Sequence, residues 1–170
     1  MSEKSEIPAI EVKQDANENT LDLSIVTDEL VNFIFKETSK EKDEKVRKQH
    51  ILDYINNHRI IPQEFYNWLL NDQNNLNSIY LFGYFNYHGI GTIVSKQKAF
   101  ELFQKAADLG NALAINNLGS CYENGIGTNI NKQKAFELYQ KAADLGNATA
   151  ISQLGYCYKH GIGTNINKQK

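Results

Sequence analysis

Apolar positions along this chain fall at helical spacing, and from about residue 75 onward the whole pattern recurs. The stretch Lys132–Thr164, KQKAFELYQKAADLGNATAISQLGYCYKHGIGT, overlays Lys96–Thr128, KQKAFELFQKAADLGNALAINNLGSCYENGIGT. The glycine pairs Gly89/Gly91, Gly125/Gly127 and Gly161/Gly163 step by 36 residues, from 89 to 125 to 161. A fixed period of that size denotes stacked supersecondary units that bury their faces only against neighbours. Within a unit, Ala114, Leu118, Cys121 and Tyr122 form one apolar stripe, and Ala135, Leu138, Tyr139 and Ala142 form a second. Two one-sided helices joined by a glycine turn are therefore expected in each unit. We call them helix A and helix B.

Helix A is expected after Asn75, Asn111 and Asn147, and helix B after Ser95, Asn131 and Asn167. All six are residue types that cap a helix N-terminus by accepting an orphan amide. Gly110 and Gly146 suit the left-handed end of helix B. The repeats divide as 74–110, 111–146 and an incomplete 147–170, where Lys168-Gln169-Lys170 stands at the start of a helix B. That incomplete unit predicts a frayed end, end-to-end self-association, or a chain that is part of a larger one. Before the repeats, residues 1–22 are polar and read as a disordered tail. Residues 23–73 read as a helical cap of three helices: one begun by Thr27, one over Lys42–Asn57, and one begun by Pro62 at its first turn. Trp68 reads as a core anchor of that cap.

The spaced residues Ala114, Leu118, Gly119, Tyr122, Gly125, Gly127, Lys134, Ala135, Lys141, Ala142, Ala143 and Gly146 resemble the Sel-one-like repeat, a relative of the tetratricopeptide repeat. Ala150, Leu154, Gly155, Tyr158, Gly161 and Gly163 fit the same pattern in the third unit, while Asn86 stands where the first unit should carry tyrosine. The resemblance implies an all-α fold, a right-handed α-solenoid of helix-turn-helix repeats, with helix A lining the concave side. It also implies a scaffold or adaptor, not an enzyme. Ile51–Thr92 further resembles the region that joins a kinase-like domain to such repeats in large fungal families. No nucleotide loop, catalytic His-Arg-Asp or Asp-Phe-Gly is present, so a kinase-like protein enters only as a partner in signalling. The alternative is an inactive fragment of a larger kinase-like or regulatory protein.

The two full copies differ at seven positions over this overlay, and six lie on helix A: Leu113/Thr149, Asn116/Ser152, Asn117/Gln153, Ser120/Tyr156, Glu123/Lys159 and Asn124/His160. Their spacing traces one helical face. We expect that face to be free of packing and to hold a protein or peptide partner. The expected stripe is Tyr80, Tyr84, Tyr87, Asn116, Ser120, Glu123, Ser152, Tyr156 and Lys159, whose tyrosines supply contact area suited to an interface.

Composition adds mainly exclusions. Net charge is −2, which offers no field for nucleic acid or anionic membrane. No apolar run reaches the roughly 20 residues of a membrane span, and the first residues carry no apolar secretory segment, so a cytoplasmic setting is the default. Cys121 and Cys157 share one repeat position and read as small buried residues, since stacked units hold such positions too far apart for a bridge. His50, His58, His88 and His160 form no metal-spaced cluster, and His88/His160 reads as a polar surface site. The Gly-Ile-Gly-Thr turns follow a helix, not a strand, which excludes a dinucleotide loop. No cofactor is expected.

Overall fold

The computed structural model describes residues 21–40 and 43–164, which form eight α-helices and, among those residues, no strand. They are α1 (Leu23–Thr38), α2 (Glu44–Asn57), α3 (Pro62–Asn71), α4 (Leu76–His88), α5 (Lys96–Asp108), α6 (Ala112–Asn124), α7 (Lys132–Asp144) and α8 (Ala148–His160). Apart from Leu21 and Asp22, the polar tail lies outside the described residues, as does the helix start after Asn167.

The caps form as the residue types dictate. Asn75, Asn111 and Asn147 accept from the amides of Asn77, Ala114 and Ala150. Ser95 and Asn131 do the same for Lys98 and Lys134. Gly89, Gly125 and Gly161 close α4, α6 and α8 in the left-handed conformation. One start differs from expectation. Helix α1 begins four residues before Thr27, because the Asp22 carboxylate accepts from the Ser24 amide at 3.0 Å. Asp is the stronger cap; Thr27 is buried inside α1 and turns its hydroxyl back to the Leu23 carbonyl at 2.7 Å. Asp43 likewise starts α2 at Glu44, two residues after the expected Lys42.

Helices α4 to α8 pack in file, each on the next. Leu118, Cys121, Ala135, Tyr139 and Ala142 are buried, and Tyr122 and Leu138 pack partly buried against them. Small residues set the spacing: a Cβ on Gly119 would sit 2.7 Å from the Tyr139 ring. The glycine turn of each unit presses on the helix B before it, with Gly127 against the Lys96 carbonyl and Gly163 against that of Lys132.

Gly91 makes the same close approach to the carbonyl of Pro62. Helix α3 therefore occupies the place of a helix B preceding the first repeat. This explains Asn86. In the later units a phenylalanine of helix B meets the repeat tyrosine edge to face: Phe100 on Tyr122 at 5.5 Å and Phe136 on Tyr158 at 5.4 Å. In the first unit both partners have changed: the Tyr66 hydroxyl donates to Asn86 Oδ1 at 3.2 Å. A hydrogen bond replaces an aromatic contact.

The sequence places all three leading helices at the open end, but α1 and α2 instead fold back as a hairpin over the helix A row. Phe33 stacks on Tyr54 at 4.9 Å, and buried Glu37 pairs with Lys40 and with His50 Nδ1. Asn77 of α4 donates to Asp28 near the start of α1 at 2.9 Å, and Thr149 of α8 donates to the Thr38 carbonyl at its end, also at 2.9 Å. Helix α1 thus runs from the head of α4 to the head of α8.

Candidate functional site

The hairpin divides the expected stripe in two. Tyr80 is 0% exposed and Tyr84 4%. Tyr80 leans on Phe103 at 6.0 Å and on Tyr84 at 6.1 Å, and burial pushes both hydroxyls well above the ordinary tyrosine range. Tyr87 is half-buried beneath Lys96, whose Nζ lies 3.2 Å from its ring centre. Asn116 is 8% exposed. The open half is on α8: Ser152, Tyr156 and Lys159 are exposed, Tyr156 at 51%. Tyr80, Tyr84 and Asn116 therefore offer no contact area to a partner in this arrangement; the chain's own helices take that place.

The drifting face is also not free of packing. Tyr139 of α7 donates its hydroxyl to Glu123 Oε2 at 2.6 Å. One unit earlier the hydroxyl is missing, and Phe103 instead packs on Tyr87 at 6.1 Å. The exchange of Phe103 for Tyr139 and of Tyr87 for Glu123 is one coupled change, in which a carboxylate acceptor appears with the donor it serves. Glu123 is a packing residue first. His88 departs from the expected surface role too. Its ring is largely buried between Tyr84 and Tyr87, and burial, together with Lys96, Lys48 and Arg47, lowers its pKa to about 3. Its Nδ1 lies 3.5 Å from Glu44, so at ordinary pH this is a contact of a neutral imidazole, not an ion pair.

Between the hairpin tip and the helix A row lies a cavity of about 150 Å³, lined by Thr38, Arg47, Tyr84, Asn116, Thr149 and Gln153 among others. Asn116 Oδ1 and the Tyr80 hydroxyl are buried without a hydrogen-bond partner among the described residues; Asn117 stands beside Tyr80 without reaching bonding geometry. The cavity shares Thr38, Arg47, Thr149 and Gln153 with an open trough of about 510 Å³ that runs past Ser39, Lys40, Ser152 and Tyr156. Thr149 and Gln153 differ between copies, a signal that could have marked them. Thr38 and Arg47 carry no sequence signal, because only the folded-back hairpin brings them here.

Cys121 and Cys157 are free and buried, and burial pushes the Cys121 thiol up to about 11, which keeps it protonated and unreactive. Among the described residues, no three His, Cys, Asp or Glu side chains converge as a metal site, and no helix is long and apolar enough to cross a membrane.

The Sel1 repeat signature matches residues 77–111, 112–147 and 148–170. A solved Sel1 repeat protein from Oxalobacter formigenes is 32% identical over 67% of this chain and 46% of its own, with a TM-score of 0.61. The structure of c5321, described as a protective antigen of uropathogenic Escherichia coli strains displaying an SLR fold, is 24% identical over 89% of this chain and 32% of its own, with a TM-score of 0.63. The chain thus spans less than half the length of each. No curated protein sequence matches it.

Proposed function

The chain belongs to the Sel1 repeat family, and on that basis we propose that it is an adaptor that holds another polypeptide against the open half of its helix A face. Sel1 repeats are generally protein–protein interaction modules, and proteins built from them are typically scaffolds without enzymatic activity. The observation that carries the proposal is Tyr156, 51% exposed at the mouth of the trough beside Ser152 and near Lys159 on the same helix. A half-exposed tyrosine on a rigid helix is the type of side chain that anchors interfaces. The likeness of Ile51–Thr92 to kinase-joining regions makes a kinase-like protein the first partner to test, in a signalling role. End-to-end self-association through α8, where Ile151 is also exposed, is the competing arrangement.

The test is partner affinity for the intact chain against Tyr156→Ala. The proposal expects a loss of about 2 kcal/mol, some 30-fold in Kd. Unchanged affinity with an unchanged helical spectrum contradicts it.

A further inference from the structure

Tyr156 and His160 on α8 repeat Tyr84 and His88 on α4, two units apart. The ring geometry is nearly the same: 4.3 Å and 42° for the first pair, 4.2 Å and 44° for the second. The surroundings are opposite. Tyr84–His88 is covered by the first turns of α2, where Glu44 Oε1 lies 3.5 Å from His88 Nδ1 and Lys48 Nζ donates to the His88 carbonyl at 2.6 Å. Glu44 and Lys48 are four residues apart and so share one face of their helix. The lysine serves one of the orphan carbonyls at the C-terminus of α4, and its charge suits the negative end of that helix. Tyr156 and His160 are both exposed, although α8 ends in the same way, with Gly161 left-handed.

We infer that the Tyr156–His160 end of α8 is a docking site for a helix of another polypeptide that carries an acidic residue and a lysine four positions later, as Glu44 and Lys48 do on α2. This rests on the proposed use of the open helix A face and names what that face takes. Two observations set the occupant's chemistry. The covered pair shows the mode within the same molecule: carboxylate to imidazole, ammonium to the terminal carbonyl. The charge near the open pair favours the acidic residue, since Lys159 is exposed beside it. Lys159 stands where α4 carries Tyr87, so the incoming acid meets a cation as well as the histidine. The trough, at about 510 Å³, is open beside Tyr156, and among the described residues the hydrogen bond from the hairpin to α8 falls at the first turn of α8, between Thr149 and the Thr38 carbonyl.

The probe is a lactam-stapled helical peptide of residues 43–57, titrated into the isotopically labelled full chain and followed by amide chemical shifts. Stapling is needed because a helix of that length is marginal alone in water. The expected result is a set of saturable shifts at Tyr156, Lys159 and His160, weakened about tenfold by Tyr156→Ala in the chain. Glu44→Lys in the peptide should weaken binding as much, and Lys159→Glu in the chain should restore that variant peptide. Tyr156 and Lys159 are exposed, so these substitutions leave the fold intact. Absence of shifts at these residues, or shifts indifferent to Glu44→Lys, overturns the inference. If the peptide fails while a captured partner still depends on Tyr156, the adaptor reading stands and only the helical occupant is wrong.

Discussion

Replacing Gly127 with alanine is expected to destabilise the fold by about 2–5 kcal/mol, while the same change at Gly155 costs nothing. Gly127 holds φ at +68°, and its position would place a Cβ 2.7 Å from both the Lys96 carbonyl oxygen and the Phe100 Cβ. The left-handed conformation costs a non-glycine residue roughly 1–2 kcal/mol, and forcing a packed contact apart adds about 1–3. The atoms that must move, the Lys96 carbonyl oxygen and the Phe100 Cβ, belong to helix B of the preceding unit, so the strain falls on the joint between repeats. Gly155 is helical and has no described atom within 4 Å of a Cβ. Alanine there should stabilise α8 by about 0.5–1 kcal/mol through helix propensity alone. Urea denaturation followed by circular dichroism measures both. Equal effects at the two glycines would show that the turn does not bind the units together.

Ile34→Ala is the second large effect. Ile34 lies in α1, is fully buried, and belongs to one apolar cluster with Phe82, Phe103 and Leu118 of the repeats. Truncating such a side chain typically costs about 2–5 kcal/mol, a large share of the 5–15 that holds a domain folded. The hairpin shares the repeats' core, so the midpoint should fall for all helices together in a single transition. A variant that loses only α1 and α2, with the repeats melting as before, would mean the hairpin is a separable cap.

The repeat architecture was legible because it is local. The step from Gly89 to Gly125 to Gly161, the asparagine caps and the two stripes per unit each report on contacts within or between adjacent units. The hairpin was not legible. Its decisive bond joins Thr38 to Thr149, 111 residues apart; Thr149 differs from Leu113 of the preceding copy, but nothing in the sequence pairs it with Thr38. That contact puts Tyr80, Tyr84 and Asn116 under cover while Ser152, Tyr156 and Lys159 stay exposed. Tyr80, Tyr84 and Tyr87 form an aromatic stripe, and an aromatic stripe suits an open interface or a covered one equally. Only the position of α1 and α2 decides between them. The Tyr66–Asn86 pair shows a subtler limit: Asn86 reads as degeneration until α3 is seen to stand in for a helix B, which places Tyr66 opposite it.

The chain covers one end of its own groove and leaves the other open. Hydroxyl-radical footprinting read by mass spectrometry compares Tyr84 and Tyr156, the same repeat position at 4% and 51% exposure. Tyr156 is expected to be oxidised about tenfold faster than Tyr84 in the folded chain, with the difference lost on unfolding. Equal rates in the folded chain would mean the hairpin does not lie over α4, and the division of the groove would be wrong.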